Sequence, residues 1–455
     1  MDDLKGKRVL VVGGGSSGVA AANLCLRRGA CVSLTDCRTV AELSHLDQLL
    51  PEVGRDLGGH SAALFAGADL LVLSPGVPQD LPLIRQAVAR GVPLWGEVEL
   101  ASRFLAAPIL AVSGTNGKST TTCLLGAMLT AAGKRVFVGG NLGTPLCAAV
   151  DQPWDALVVE LSSFQLETIV RFRPAISVLL NISPDHLDRY ADMAAYCTAK
   201  GRLFLNQGPD SVLVLNADDA AVLDLADGCP ARRWLFSLQR PLAQGLSYAA
   251  GRIEVRWDGQ QLFLDTDQLQ LRGLHNVENV MAALAAALAF GVAPATAWQA
   301  ACAFRGLPHR MELVRQLAGV RWYNDSKGTN IGSVLKSLAG LSGPITLIAG
   351  GKDKGGDYGL LRPLLAQKRP QLVLLGAAAE RMAQSWSDLC AIERATSLEQ
   401  AVQLAWRLTP AGGSVLLSPG CSSFDMFRSF EERGERFVAA VEALPEQDHE
   451  PATDR

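Results

Sequence analysis

The residues best suited to chemistry are Ser113-Gly114-Thr115-Asn116-Gly117-Lys118-Ser119-Thr120. A strand-like apolar run, Ile109–Val112, leads into them, and a helical run, Cys123–Thr130, follows. Glycines leave backbone N–H groups open to wrap phosphate oxygens, and a helix start adds partial positive charge. Lys118 can reach outer phosphates, and Ser119 can hold Mg²⁺. The strict GxxxxGK[ST] spacing is not met, because Val112 stands at the first glycine position. A plain glycine turn capped by Ser and Thr is the alternative. The strand context and the Lys-Ser pair favour nucleotide binding.

A second turn, Gly13-Gly14-Gly15-Ser16-Ser17-Gly18, also follows a strand, and Asp36 ends the next one. That spacing suits a dinucleotide, another nucleotide, or simple helix–sheet packing. Glu160 stands just past the apolar run Ala156–Val159, at the strand end where α/β sheets bind ligands. In Asn181-Ile182-Ser183-Pro184-Asp185-His186-Leu187-Asp188-Arg189-Tyr190, His186 could ligate a metal, with Asp185 or Asp188 orienting it. Read locally, the same segment is a helix start with a surface histidine. Lys200 is by itself an ordinary helix lysine. Asn276 and Asn279 share a helix face and could read a base or ribose, or cap. Three polar segments follow later strands: Asn324–Asn330, Gly350–Asp357 and Ser418–Asp425. Together they suggest a second ligand surface.

Elements must position these groups. Short continuous apolar runs alternate with helical patterns along most of the 455 residues. Arg8–Val12, Asp69–Leu73, Ile176–Leu180, Val212–Leu215, Ile345–Ile348 and Ser414–Leu417 are examples. The pattern predicts α/β layers around parallel strands covered on both faces. Leu246–Leu264 departs from it: Ile253–Trp257 alternates, Asp258-Gly259 turns, and Gln261–Leu264 returns as a hairpin. Boundaries are expected near Gly96 and Gly306. The polar tail from Pro445 is expected to fray.

Hydrophobic residues make up 49% and charged residues 19%, which are globular proportions. The net charge of −3 gives no global drive toward nucleic acid or an anionic membrane. The ten cysteines form no CxxC pair, and most have apolar neighbours, so buried reduced thiols are expected. The first residues carry no apolar signal core, and Val280–Val292 is too short to span a bilayer. A cytoplasmic chain without membrane insertion is expected.

In this order the motifs resemble the Mur ligases, over essentially the whole chain. The carriers are Gly114–Thr120, Glu160–Leu166, His186–Tyr190, His275–Asn279, Leu307–Arg310 and Asn324–Asn330. His186–Tyr190, Gly351–Gly355 and Ser418–Asp425 point to the member that joins D-glutamate to UDP-N-acetylmuramoyl-L-alanine. The resemblance implies a three-domain α/β fold. A Rossmann-like N-terminal domain (1–96) would hold the UDP sugar, a central P-loop ATPase-type domain (97–306) ATP, and a Rossmann-like C-terminal domain (307–455) the amino acid. It implies ATP contacts from Gly114, Thr115, Asn116, Gly117, Lys118, Ser119, Thr120, Asn276, Arg310 and Asp325. Ser16, Ser17, Asp36, Arg38, Gly76 and Asn141 would meet the UDP sugar. Lys327, Thr329, Lys354, Ser423 and Phe430 would surround D-glutamate. Lys118, Glu160, His186 and Lys200 would be catalytic. Two Mg²⁺ ions would rest on Ser119, Glu160, His186 and a carbamylated Lys200. Domain closure would keep water from an acyl phosphate. The implied partners are the two small substrates, with no nucleic acid and a monomeric chain. A NAD-dependent oxidoreductase would leave the second phosphate loop unused, and a non-catalytic nucleotide switch would leave Glu160 and His186 unused.

Overall fold

The computed structural model describes residues 3–445 except Ser44, Leu187, Asp188, Asp258, Arg272 and Lys354. The expected fraying of residues 446–455, the expected glutamate contact Lys354 and the possible orienting residue Asp188 therefore lie outside the described residues. The chain divides into two compact bodies, Met1–Gln270 with Asn276–Phe304, and Leu271–His275 with Arg305–Arg455.

The first body contains two sheets. The N-terminal one is built from β1 (Arg8–Val12), β2 (Cys31–Asp36), β3 (Gly54–Leu57), β4 (Leu70–Leu73) and β5 (Leu94–Gly96), all parallel, in the order β3-β2-β1-β4-β5. The larger sheet takes β6 (Ile109–Ser113), β7 (Val136–Gly140), β8 (Ala156–Glu160), β9 (Ile176–Leu179), β10 (Val212–Asn216) and β11 (Arg232–Ser237). It ends in β12 (Gly245–Ala249), β13 (Arg252–Trp257) and β14 (Gln260–Asp265). Its order is β14-β13-β12-β11-β10-β9-β6-β8-β7, parallel as far as β12 and antiparallel beyond. The expected hairpin is β13–β14, extended by β12 into a meander.

The second body has one sheet, from β15 (Glu312–Leu317), β16 (Val320–Asn324), β17 (Ile345–Gly350), β18 (Gln371–Leu375), β19 (Ile392–Arg394) and β20 (Ser414–Leu417). The order is β15-β16-β20-β17-β18-β19, and only the β15–β16 pair is antiparallel.

Burial follows the apolar patterns. Every residue of β4, β6, β8 and β17 is buried, as strands with helices on both faces require. On β13 burial alternates at first, with Ile253 and Val255 inside. The Ala-rich run becomes the helix Leu274–Ala289, buried along most of its length. Small side chains let such a helix pack closely. On another helix, Lys118–Ala131, Gly126 takes this further: a Cβ there would come 2.5 Å from Val138 Cγ2. Among the described residues, no helix is long and apolar enough to cross a membrane.

One expectation is corrected. None of the ten cysteines is joined in a disulfide, but only Cys25, Cys147 and Cys421 are buried. Cys31 opens β2 and Cys37 follows its end, so both lie at exposed strand termini, and the other five are half-buried. Apolar neighbours in sequence do not bury a residue at the mouth of a strand.

In each sheet the connections reverse direction beside one central strand: β1 between β2 and β4, β6 between β9 and β8, β20 between β16 and β17. Crevices open at the carboxyl ends of strands at such points. The polar segments singled out above leave those strand ends.

Candidate active site

The loop after β6 needs backbone that most residues avoid. Gly114 has φ +144° and Gly117 φ +87°, and the helix Lys118–Ala131 begins directly afterwards. A Cβ on Gly117 would lie 2.2 Å from Asn279 Oδ1. Asn181, just past β9, clasps the loop: its Oδ1 accepts from Asn116 N at 2.8 Å, and its carbonyl accepts from Thr115 N at 2.9 Å. Ser119 and Thr120 are buried in the first turn of the helix.

Two lysines meet at one carbonyl. Lys118 Nζ donates to Gly114 O at 3.0 Å, and Lys200 Nζ donates to the same oxygen at 2.7 Å. Lys200 comes from the end of the helix Met193–Gly201 and is 2% exposed. Burial, reinforced by the Lys118 charge, pushes its ammonium well below the usual lysine range, against the pull of Asp185 and Glu160.

Glu160, the last residue of β8, is 2% exposed. Its Oε1 accepts from Asn141 Nδ2 at 2.6 Å, while its Oε2 is buried without a hydrogen-bond partner. A buried bare carboxylate oxygen is costly unless a cation meets it. Among the described residues no group of three His, Cys, Asp or Glu side chains gathers for a metal. Mg²⁺ does not require one, since it is commonly held by one or two protein oxygens together with substrate phosphates and water. Glu160 Oε2 and the Ser119 hydroxyl suit that pattern.

His186 does not begin a helix. It sits at φ +55°, a conformation that costs a non-glycine residue energy. Its ring packs against Phe164 with centroids 4.8 Å apart, and its Nε2 lies 3.8 Å from Asp185 Oδ2. Asn276 and Asn279 are buried in the helix Leu274–Ala289, joined by an Asn279 Nδ2 to Asn276 Oδ1 bond of 3.3 Å. Thr121 Oγ1 donates to Asn279 Oδ1 at 3.3 Å, which ties this helix to the phosphate loop.

The N-terminal crevice is assembled the same way. Ser16 and Ser17 open the helix Ser16–Arg27. A Cβ on Gly18 would fall 1.8 Å from Gly13 O, so only glycine lets helix and strand approach here. Ser74 Oγ donates to Gly13 O at 2.9 Å and brings the Ser74-Pro75-Gly76 loop to the glycine turn. Asp36 faces inward: it accepts from Gly14 N at 2.7 Å and from Arg38 Nη2 at 2.7 Å. Burial raises its carboxyl, but the Arg38 guanidinium and the Gly14 and Arg38 N–H groups together bring it down to about 2. The carboxylate a ribose would need is thus committed to the turn itself, which weakens the dinucleotide alternative. The Arg38 side chain remains 47% exposed.

In the second body Asp325 leaves β16 and is held by Ser337 Oγ and Ser418 Oγ, each at 2.7 Å. Burial pushes its carboxyl up to about 6, against those two hydroxyls and Arg310. Lys327 Nζ lies 3.7 Å from the Phe430 ring centre, a cation–π contact. Thr329 N donates to Lys327 O at 2.8 Å, and Ser423 is buried past β20. Sequence reasoning missed Arg433, which donates to Ser326 O at 2.8 Å and Cys421 O at 3.2 Å and braces two of these loops. It also missed Asn181 and Tyr196, whose OH lies 3.0 Å from Thr115 Oγ1.

Three family models match the chain. "Mur ligase MurD-like, N-terminal domain" covers residues 7–96, "Mur ligase middle domain" 112–287, and "Mur ligase, glutamate ligase domain" 309–421. A UDP-N-acetylmuramoylalanine--D-glutamate ligase of Syntrophotalea carbinolica is 54% identical, covering 98% of this chain and 99% of that protein. The protein of the same name from Geotalea uraniireducens is 49% identical, over 97% and 98%. Among solved structures, a pseudomurein peptide ligase type C from Methanothermus fervidus is 19% identical with a TM-score of 0.62, covering 95% of this chain and 99% of that one. At that identity the likeness shows the fold alone.

Proposed function

The chain belongs to the Mur ligase family, and on that premise we propose that it joins D-glutamate to UDP-N-acetylmuramoyl-L-alanine with ATP, a step of peptidoglycan synthesis. The observation that carries the reading is near-full-length identity of 54% to a relative of that name.

The geometry supplies the means. The ATP γ-phosphoryl passes to the L-alanyl carboxylate, giving an acyl phosphate. The D-glutamate amine then attacks that carbonyl, and phosphate leaves. The first step brings two anions together, so positive charge must stand between them. Lys118, already at the phosphate loop, meets this need. Two Mg²⁺ ions, one on Ser119 and Glu160 and the other on His186 and a carbamylated Lys200, would neutralise phosphate charge. The depressed ammonium of Lys200 supports that modification. Its neutral amine can form a bond to the carbon of CO₂ and release a proton, which turns a cation into a carboxylate-like ligand.

Ser16, Ser17, Arg38, Gly76 and Asn141 hold the UDP sugar in this reading, with Asp36 fixing Arg38. Asn276, Arg310 and Asp325 attend ATP. Lys327, Thr329, Lys354, Ser423 and Phe430 attend D-glutamate, whose two carboxylates call for lysines. Residues 1–96, 97–306 and 307–455 are the corresponding domains, and the enzyme works in the cytoplasm as a monomer. The test is phosphate release from ATP with UDP-N-acetylmuramoyl-L-alanine across a panel of amino acids. Release that requires both the sugar nucleotide and D-glutamate, with a ligated product by mass, is expected. Release driven by another amino acid would reassign the second body, and no release with any acceptor would refute the proposal.

A further inference from the structure

Between the N-terminal crevice and His186 lies a cluster with no role in the chemistry above. Glu167 stands at its centre, directly after the Ser163–Leu166 helix as its C-cap residue. Its Oε1 accepts from Tyr190 OH at 2.5 Å. Its Oε2 accepts from Arg189 Nη2 at 3.2 Å and from Gln79 Nε2 at 3.0 Å. Three donors from two distant segments thus converge on one carboxylate. Gln79 belongs to the loop after β4 that carries Ser74-Pro75-Gly76, and Arg189 and Tyr190 belong to the loop that carries His186.

Arg189 extends the connection both ways. Its Nη1 donates to Pro75 O at 3.4 Å, and its guanidinium lies over the Phe164 ring, 4.1 Å from the centre. Phe164 is the ring against which His186 packs, and it also stacks on Tyr190 at 6.0 Å. Beyond Tyr190, the Tyr196 ring stands edge-on at 5.4 Å. The Arg189–Glu167 pair is largely shielded, with side chains 22% and 18% exposed. The space left among Ser74, Pro75, Gln79, Phe164, Glu167 and Arg189 is a cavity of only ≈ 10 Å³, about one water. A contact packed this closely transmits displacement rather than absorbing it. The positive φ of His186 is the kind of strain that persists only where its surroundings over-determine it.

We propose that Glu167 is a positioning residue that locks the His186 loop to the Ser74–Gln79 loop, so that seating the sugar nucleotide and orienting the His186 ring are one event. The inference rests on the functional reading above only in its choice of ligand. It requires no direct contact between Glu167 and substrate. Glu167→Gln keeps the size of the side chain but removes the charge that holds Arg189. Gln79→Ala cuts one of the two arms to the β4 loop, leaving the Arg189–Pro75 bond and the Arg189 and Tyr190 contacts to Glu167 in place.

The test uses the full chain with ¹³C-labelled histidine, without ATP or metal. The chain has six histidines, so the ring signals resolve, and His186→Gln assigns the one in question. Titrating UDP-N-acetylmuramoyl-L-alanine into the parent is expected to shift the His186 ring signal. In Glu167→Gln the dissociation constant is expected to rise about tenfold, and the His186 shift at saturation to fall by half or more. ATP binding, measured separately, stays within twofold and reports an intact phosphate loop. Gln79→Ala is expected to reduce the His186 shift in the same direction, and it decides the matter if Glu167→Gln loses ATP binding. Full affinity and a full His186 shift in both variants would overturn the coupling while leaving the ligase reading intact. A parent that binds no sugar nucleotide would overturn the ligase reading, and the coupling with it.

Discussion

Replacing Gly117 by alanine puts the phosphate loop to a direct test. The residue sits at φ +87°, where an L side chain costs about 1–2 kcal/mol. The new Cβ would also fall 2.2 Å from Asn279 Oδ1 and 3.2 Å from Leu180 Cδ1. Asn279 is 5% exposed and bonded to Thr121 and Asn276, so it cannot simply swing aside. Overpacking of this kind adds about 1–3 kcal/mol. The sum, roughly 2–5 kcal/mol, falls on the loop whose N–H groups would receive phosphate. If 2 kcal/mol of it appears in binding, ATP affinity drops about 30-fold. Gly133 is the control: it has φ +76° with nothing within 4 Å of a Cβ, so Gly133→Ala carries the backbone cost without the clash. Calorimetric titration of Mg·ATP into both variants and the parent supplies the comparison. Gly117→Ala is expected to lose 30-fold or more, and Gly133→Ala less than threefold. Gly117→Ala binding ATP within threefold of the parent would refute both the clash and the assignment of the loop.

Glu160→Gln keeps an acceptor for Asn141 but removes the charge on the bare buried oxygen. Ligation is expected to fall about 10²-fold with a raised Mg²⁺ requirement, while thermal stability holds or rises; an unchanged Mg²⁺ titration would exclude Glu160 as a metal ligand. Lys200 has a folded pKa below its unfolded value, so the unfolded chain binds the extra proton, and stability of the unmodified protein rises with pH from its folded pKa toward about 10.5. Lys200→Met removes that slope, so the variant is expected to be more stable than the parent at pH 7, with the gap closing by pH 10, and to be inactive; parallel stability curves would contradict the buried-amine reading. Glu99 is fully buried, accepts from the N–H groups of Val170, Arg171 and Phe172, and pairs with Arg103 at 2.6 Å. Glu99→Gln removes the buried charge that pairs with Arg103, and the first body is expected to lose about 3–5 kcal/mol of stability in chemical denaturation; a loss under 1 kcal/mol would mean water reaches the pair.

The apolar runs that became β1, β4, β6, β8 and β17 could be read because both faces of those strands are covered, so nearly every residue is apolar. The same physics hides the edges. Gly54-Arg55-Asp56-Leu57 forms β3 at the rim of its sheet, with no residue fully buried, and nothing in its composition marks a strand. Glu312–Leu317 forms β15 at another rim, with a register shift between Leu313 and Arg315 that breaks the alternation. The site divides in a similar way. Lys118 and Glu160 announce themselves because one opens the helix after the glycine turn of an apolar strand and the other ends such a strand, where an α/β sheet presents its ligands. Glu167 has no such marker: its partners lie 88 residues upstream and 22 and 23 downstream, and only tertiary packing joins them. Lys200 is the sharper case. Its neighbours Ala199 and Gly201 say only that a helix is ending, and a lysine there is ordinarily solvated. What lowers its ammonium pKa is enclosure by Ser113, Gly114 and Lys118, residues more than eighty positions away. Local pattern reports where a side chain is exposed to choice, whereas reactivity of a buried group depends on what the rest of the chain closes around it. The lysine that needs the most chemistry from its surroundings is therefore the one its own segment describes least.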